Sequence, residues 1–164
     1  MTTPPAVDGA VDADLGWSLG AVMRAYLRTA AEAVAGVPGG PRGHQVLAAA
    51  ARGGVASQLA LAQHLGVDRT VMTYLLDDLE REGLVARRPD PADRRARRIV
   101  LTDAGRTRLD ELEQAVRCVE DDLLAPLDPD ERRVLRELLA RLAGRAGGAN
   151  PCQVAAEMEQ APGC

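Results

Sequence analysis

The sequence predicts a mainly helical chain with one small β-hairpin. Apolar residues make up 46% of its 164 residues and are nearly all Ala, Leu and Val, with no Phe, one Trp and two Tyr. This composition favours helices and argues against an aromatic-rich β-sandwich. Apolar residues recur at three- and four-residue spacing in several segments, whereas residues 84–102 alternate like two strands around a turn.

The length of the chain fits one compact domain with short extensions. We expect a flexible leader at residues 1–13, a folded domain at 14–146, and a disordered tail at 147–164 whose composition is small, polar and rich in Pro and Gly. The leader lacks the basic start and apolar core of a signal peptide. No apolar stretch is long enough to span a membrane, so the cytoplasm is the expected compartment.

Charge is distributed unevenly along the chain. Residues 81–108 hold nine Arg against four acidic residues, a local balance of +5 in a chain whose formal net charge is −4. An acidic body with one basic segment is typical of a protein that presents this segment to a polyanion.

The first four helices can be read from their start and stop signals. An apolar stripe predicts a first helix over about residues 15–36, which VPGGP at 37–41 ends. Pro41 suits the first position of a second helix that reaches Arg52. Ser57 and Asp68 suit the caps of two further helices, and a turn containing Gly66 separates them. Two short helices with a tight turn between them predict a helix-turn-helix.

The fourth helix, at residues 68–82, has two distinct faces. The stripe predicted to be buried is Met72, Leu75, Leu76 and Leu79. The opposite face carries Arg69, Thr70, Thr73 and Asp77, with Tyr74 at its margin. Arg, Thr and Tyr side chains reach base edges and phosphates, so this face is a candidate DNA-reading surface. An ordinary solvated face is the alternative.

The segment RRPDPADRRARR at 87–98 contains six Arg and lies between two apolar arms. The arms predict strands and the Pro and Asp residues predict a turn, so the segment is the loop of a β-hairpin. A hairpin directly after a helix-turn-helix is the wing of a winged helix, here about residues 41–102. A solvated charge run without a partner is the alternative.

Two more helices complete the domain. Thr102 suits the cap of a long helix whose apolar residues follow an a/d-type seam, and DPDE at 128–131 resembles a capping box that opens the last helix. The last helix carries its own apolar stripe, Val134, Leu135, Leu138, Leu139 and Leu142.

The segment from Leu61 to Arg106 resembles the winged-helix region of the multiple-antibiotic-resistance-regulator (MarR) family. The motifs that carry the resemblance are LA-x3-G at 61–66, LE-x2-GLV at 79–85, D-x-R at 93–95 and LT-x2-G at 101–105. In this order and spacing they are specific to the family, whereas each one alone is weak. The flanking helices extend the resemblance to about residues 15–146.

The resemblance implies a homodimer in which helices at about 15–36 and 103–146 interlock and place two winged helices on successive major grooves of DNA. Members of the family are mostly repressors that small aromatic acids, other metabolites or oxidants release from DNA. By position, the residues implied in the major groove are Arg69, Thr70, Thr73 and Tyr74. In the wing, Asp93 would hold Arg95 in the minor groove, and Arg94, Arg97 and Arg98 would be phosphate contacts or further wing cations. A simple surface ion pair between Asp93 and Arg95 is the alternative.

The family keeps its effector pocket between the dimerisation helices and the winged helix. Trp17 and Tyr26 on the first helix, with His44 on the second, are the candidates for such a pocket. Trp17 is also a candidate anchor of the dimer core. His44 and His64 are too isolated for a catalytic or metal constellation, and each is also explained as an ordinary surface or partly packed histidine.

Cys118, Cys152 and Cys164 show no CxxC spacing, so neither a zinc site nor a disulfide framework is expected. The redox-sensing branch of the family has its reactive cysteine near the N-terminus, where this chain has none. Cys118 lies instead beside the seam of a helix, where we expect a buried, inert thiol.

No cofactor is expected, and the sequence contains no catalytic carboxylate pair, no nucleophile with its base, no phosphate-binding Gly loop and no metal-ligand spacing. The leading hypothesis is therefore a sequence-specific DNA-binding transcription regulator. The alternative is a winged helix that binds another protein and has no DNA target, and an enzyme is the least supported class.

Overall fold

The computed structural model describes residues 14–52, 57–90 and 97–145, which form six helices and one two-stranded sheet. In chain order the elements are α1 (Leu15–Ala33), α2 (Pro41–Arg52), α3 (Gln58–Leu65), α4 (Arg69–Arg81), β1 (Val85–Pro89), β2 (Arg97–Leu101), α5 (Asp103–Leu123) and α6 (Pro129–Arg145). This is the predicted order. The predicted leader and tail, and the wing tip with Asp93, Arg94 and Arg95, lie outside the described residues.

Side-chain caps start the helices where the sequence predicts them. The Ser57 hydroxyl accepts a hydrogen bond from the Ala60 N–H at 3.1 Å, and the Thr102 hydroxyl accepts one from the Gly105 N–H at 2.9 Å. At α6 the backbone and side chains of Asp128 and Glu131 bond reciprocally, both at 2.9 Å, which is a capping box. These contacts satisfy N–H groups that have no partner inside their own helix.

The turn inside the helix-turn-helix depends on a glycine. Gly66 follows α3 with φ of 63° and ψ of 32°, the left-handed conformation that a side chain disfavours. The Val67 N–H then bonds back to the Ala62 carbonyl at 2.9 Å, so α3 ends sharply and only three residues separate it from α4.

Helix α1 ends at Ala33, a little before the predicted boundary near residue 36. Val34 leaves the helical conformation with φ of −106°, and its side chain and that of Val37 are buried. Val34 and Val37 therefore belong to the buried connection between α1 and α2 and not to α1 itself.

The core lies between α2, α3, α4, the hairpin and the first half of α5. Its most deeply buried side chains are Val46, Leu47, Leu61, Met72, Leu76, Leu79 and Val85. The predicted buried stripe of α4 is confirmed, because Leu75 is also buried. This packing fixes α4 and leaves its other face free to point away from the core.

The outer helices differ from the core helices, because neither α1 nor α6 has a fully buried residue. Helix α1 packs against α5, and Arg136 of α6 forms an ion pair with Glu120 of α5 at 3.2 Å. Large apolar side chains remain exposed on both helices: Leu15, Trp17, Leu19, Val22 and Met23 on α1, and Val134, Leu138, Leu139 and Leu142 on α6. A single chain thus leaves two apolar helical surfaces uncovered.

Strands β1 and β2 form the antiparallel hairpin of a winged helix. Their register pairs Val85 with Leu101 and Arg88 with Arg98. A further antiparallel bridge joins Arg98 to Ser57, the cap of α3. The start of β2 is therefore attached to the start of the helix-turn-helix.

Candidate nucleic-acid interface

Helix α4 begins with a charged cap. The Asp68 carboxylate accepts hydrogen bonds from the N–H groups of Thr70 at 2.7 Å and Val71 at 3.3 Å. These bonds stabilise the anion and hold the pKa of Asp68 below its ordinary value. The cap fixes the first turn of α4, which carries Arg69 and Thr70.

The outer face of α4 is exposed as predicted. Arg69, Thr70 and Asp77 are exposed, and Tyr74 is 68% exposed above the buried stripe. Arg69 forms no ion pair with another described residue, so its five N–H donors are available to a partner. The exposed side chains of Arg69 and Tyr74 suit a surface that contacts a polar partner.

Thr73 differs from its neighbours because its hydroxyl already has two partners. It donates to the Arg69 carbonyl at 2.9 Å and accepts from Gln58 Nε2 at 2.6 Å. Thr73 is also only half-exposed. The hydroxyl can therefore accept one further bond but has no free hydrogen to donate.

Gln58 is a residue at this surface that the sequence did not single out. It is the first residue of α3, directly after the cap Ser57, and its carboxamide reaches across to α4. The sequence offers one indication of this role, because Gln58 stands at the start of the helix that precedes α4. With Ser57 bridged to Arg98, these contacts form a continuous path from Thr73 on α4 to the start of β2.

The strand ends next to the hairpin turn carry three cations that form no ion pair with a described residue. Arg88, Arg97 and Arg98 are exposed, and Arg88 lies directly opposite Arg98 in the strand register. The predicted wing residues Arg97 and Arg98 thus lie on the described hairpin, and Arg88 adds a cation that the candidate site residues lacked. Arg88 is not identified from the sequence, because the neighbours of this residue depend on the strand register, and composition does not give that register.

Arg87 shares the basic segment with these residues but is not part of the same exposed set. Its Nη2 atom lies 2.6 Å from Asp77 Oδ1, its Nη1 atom bonds to Glu80 Oε2, and its N–H donates to Glu80 Oε1 at 3.0 Å. The bond from this N–H is the main reason that the pKa of Glu80 is lowered. Partial burial disfavours the charge of Arg87, but the two carboxylates outweigh it and raise the pKa of the guanidinium.

The three candidates for an effector pocket lie at different places along α1 and α2. Trp17 is 62% exposed, whereas Tyr26 and His44 are half-buried. Burial, and secondarily Glu120, raises the pKa of Tyr26, and burial lowers the pKa of His44, which also faces Glu113. Glu113 and Glu120 are seven residues apart on α5, about 10 Å. A pocket at these residues stays a prediction.

An open cavity of about 240 Å³ lies elsewhere, between the start of α2 and one side of α4. Its lining is Gly39, Arg42, Val71, Tyr74, Leu75 and Asp78. None of the three predicted pocket residues lines it. Within the described residues no group of three or more His, Cys, Asp or Glu side chains is placed to hold a metal ion.

The expectation of a buried Cys118 is wrong for this chain, because its thiol is exposed. Cys118 follows the seam residue Val116 by two positions, and two residues rotate about 200° around a helix axis. The side chain is therefore turned away from the seam. Gln114 Nε2 lies 3.8 Å from its sulfur.

No helix among the described residues combines the length and the hydropathy that a membrane crossing needs.

Comparison with known proteins agrees with this geometry. A sequence profile described as the MarR family matches residues 41–96, from α2 to the hairpin. The transcriptional repressor CouR, solved bound to a 23-mer DNA duplex, is 32% identical, with 79% of this chain and 92% of that chain covered and a TM-score of 0.62.

Two further relatives have the same fold. The wild-type MarR protein of Escherichia coli is 26% identical over 79% of this chain and 96% of its own, with a TM-score of 0.68. A MarR family protein of Mycobacterium tuberculosis, solved in complex with DNA, is 26% identical over 80% of this chain and 98% of its own, with a TM-score of 0.66. The same protein has been solved in complex with salicylic acid. The chain belongs to the MarR family of winged-helix, DNA-binding transcription regulators.

Proposed function

We propose that the protein is a sequence-specific, homodimeric repressor that a small molecule releases from double-stranded DNA. Helix α4 enters the major groove, and the wing at residues 87–98 lies at the minor groove. The protein acts in the cytoplasm and carries out no catalysis. The observation that carries the proposal is the continuous path from the exposed outer face of α4, through Gln58 and Ser57, to Arg98, a cation that has no ion pair with a described residue.

Base reading is assigned to α4 because its exposed groups match the chemistry of the major groove. Arg69 offers a planar pair of donors of the kind that recognises guanine, and the Tyr74 hydroxyl both donates and accepts. Thr70 and Thr73 present small side chains with a hydroxyl and a methyl group, which suit backbone contacts and thymine methyl groups. The buried stripe of α4 keeps these groups on one side.

The wing is assigned to phosphates and to the minor groove because of its charge. Arg88, Arg97 and Arg98 are exposed at the strand ends next to its turn. A narrow minor groove has an enhanced negative potential that attracts Arg, and phosphate contacts with Arg position the protein on DNA. We keep Asp93, Arg94 and Arg95 as wing-tip contacts, with Asp93 orienting Arg95 toward the minor groove. CouR and the mycobacterial relative, both solved with DNA, support DNA as the partner.

Dimerisation is assigned to α1 and α6 because their apolar side chains lack cover in one chain. Leu15, Leu19 and Leu142 are among the side chains that remain about half-exposed or more. Exposed apolar groups on the two outer helices indicate a protein interface, and a second copy would bury both surfaces at once. A dimer also presents two α4 helices to two DNA half-sites.

Release by a small molecule is assigned to the contact between α1, α2 and α5. Tyr26 and His44 are half-buried there, and within the described part of the chain His44 Nε2 is buried without a hydrogen-bond partner. A buried polar atom without a partner is uncommon and suits a site that a ligand completes. The salicylic acid bound to the mycobacterial relative supports an effector of this size and chemistry.

The proposal is tested by selecting duplexes from a random DNA pool with the purified protein and measuring their binding in gel-shift assays. We expect enrichment of an inverted repeat whose half-sites lie about one helical turn apart, and an affinity that falls steeply as salt rises. A scrambled duplex of equal length is the control. Equal binding of both duplexes contradicts a sequence-specific regulator. A monomer without DNA affinity supports instead the alternative, a winged helix that binds another protein.

A further inference from the structure

Arg87 makes different contacts from the other arginines of the basic segment. Its side chain is 25% exposed and lies between two carboxylates of α4, whereas its neighbour Arg88 is exposed and forms no ion pair with a described residue. Residues alternate between the two faces of a strand, so Arg87 shares its face with the buried Val85 and Arg88 does not. One face of β1 is thus turned toward α4 and the core.

The contact is built from three hydrogen bonds between one strand residue and one helix face. Asp77 and Glu80 are three residues apart and therefore neighbours on the surface of α4. Arg87 Nη2 bonds to Asp77 Oδ1 at 2.6 Å, Nη1 bonds to Glu80 Oε2, and the Arg87 N–H bonds to Glu80 Oε1 at 3.0 Å. Two nitrogen atoms of a rigid guanidinium reach two carboxylates at once, which a lysine ammonium does not do in the same way.

The charges and the position of Arg87 separate it from phosphate binding. Two carboxylates already neutralise its single positive charge, so the guanidinium attracts a polyanion only weakly. Its cross-strand partner is Ile99, which is buried in the core, so the contact lies where the hairpin leaves the body of the domain. A link at this place limits how far the wing can move relative to α4.

We propose that Arg87 is a positioning residue that fixes the wing relative to the recognition helix through Asp77 and Glu80. The role rests on the proposed DNA binding, because it matters only if α4 and the wing engage one duplex together. A wing that is already placed loses less freedom on binding, and it keeps α4 in the register that reads the bases. Removing Arg87 therefore lowers discrimination between sequences, whereas removing Arg88 lowers affinity for every sequence.

The test compares Arg87→Gln with its neighbour Arg88→Gln. Affinity is measured over a salt series for the duplex selected by the wild-type protein and for a scrambled duplex of equal length. For Arg88→Gln we expect weaker binding to both duplexes and a log–log salt slope smaller by about 0.9, the loss of one phosphate contact. For Arg87→Gln we expect an unchanged slope and a roughly tenfold weaker binding to the selected duplex, with little change for the scrambled one.

A second pair of measurements separates positioning from loss of folding. Asp77→Asn removes one of the two ion pairs and leaves Arg87 in place, so we expect a smaller loss of discrimination in the same direction. Hydrogen exchange of the free protein should be faster at β1 in Arg87→Gln than in Arg88→Gln, with the exchange of α4 core amides unchanged. A thermal unfolding curve confirms that each variant is folded.

The outcomes are distinguishable. Failure of the wild-type protein to enrich any sequence overturns the proposed function itself. If the wild-type protein is selective and Arg87→Gln reduces the salt slope as Arg88→Gln does, Arg87 is a phosphate contact and the positioning role is wrong. Unchanged discrimination in both Arg87→Gln and Asp77→Asn also overturns it.

Discussion

Arg88 and Arg98 lie directly opposite each other on the two strands of the hairpin, and neither forms an ion pair with another described residue. Like charges in a directly opposed pair destabilise a sheet. The chain has 24 acidic residues, yet no carboxylate in the described part of the chain forms an ion pair with either arginine. Two cations that repel each other and have no ion-pair partner among the described residues suit a surface that binds a negatively charged molecule.

Arg98→Gln should therefore have opposite effects on stability and on DNA binding. Relief of the repulsion should stabilise the free protein by roughly 0.2–1 kcal/mol. Loss of one phosphate contact should lower the log–log salt slope by about 0.9. Thermal unfolding and a salt series of binding measurements check the two effects. Arg141→Gln, an exposed arginine on α6, is the control and should leave the slope unchanged. A destabilised Arg98→Gln with a normal slope would contradict the assignment.

Leu138→Glu should convert the dimer to a monomer. Leu138 is 47% exposed on α6, and a carboxylate there would be desolvated in an interface built from the apolar sides of α1 and α6. Sedimentation equilibrium without DNA measures the mass. The matched control is Leu59→Glu, because Leu59 on α3 is 49% exposed and lies outside both helices. A monomeric wild-type protein, or equal effects of the two variants, argues against this interface.

Gly105→Ala should destabilise the protein by about 1–3 kcal/mol, the usual cost of adding a group to a packed site. A Cβ at Gly105 would lie 1.9 Å from the Leu84 carbonyl oxygen, so the first turn of α5 could not keep its place against the hairpin. Gly144→Ala is the control. It has no atom within 4 Å of the added group and should be neutral or stabilising by about 0.4–1 kcal/mol. Urea unfolding measures both, and equal midpoints for the two variants would contradict the packing argument.

His44 should make the folded protein sensitive to mild acid. Burial lowers its pKa from an ordinary value of 6.5, against the opposing effect of Glu113 and together with the smaller effect of Arg52. As pH falls below about 6.5, the unfolded chain binds a proton that the folded chain does not, so the free energy of unfolding decreases until pH reaches the folded pKa. His44→Gln should reduce this loss.

The measurement is the urea midpoint at about pH 7.5 and about pH 5.5, which span the ordinary histidine pKa. Gln63→Ala, a change at an exposed position of α3 that carries no titrating group, is the control and should keep the loss seen in the wild-type protein. If His44→Gln loses as much stability as the wild-type protein between the two pH values, His44 is not responsible for the acid sensitivity.

Local signals explain why so much of the fold follows from sequence. Ser57, Asp68 and Thr102 bond to N–H groups two or three residues away, and such contacts are set by the chain itself. The buried stripe of α4 follows from helical spacing alone. Local signals do not identify Arg87. The segment at 87–98 has six arginines, and the strand register decides which of them faces α4.

Contacts between elements account for the remaining differences between the sequence predictions and the structure. Gln58 reaches Thr73 across 15 residues, and nothing in the spacing of the two residues requires that contact. The exposed thiol of Cys118 shows that a residue close in sequence to an apolar seam can still point to another face of the helix. The seam residues themselves are buried or half-buried at Leu109, Leu112 and Val116.

The central claim is that α4 reads bases while the hairpin holds the DNA backbone. It is tested most directly by repeating the selection from random DNA with Arg69→Gln and with Arg98→Gln. Arg69→Gln should relax the preference at one or two base pairs in each half-site, at a cost of about 1–3 kcal/mol for the best site, whereas Arg98→Gln should keep every preference and bind more weakly throughout. Base preferences that remain unchanged in Arg69→Gln, or that change instead in Arg98→Gln, would contradict the account.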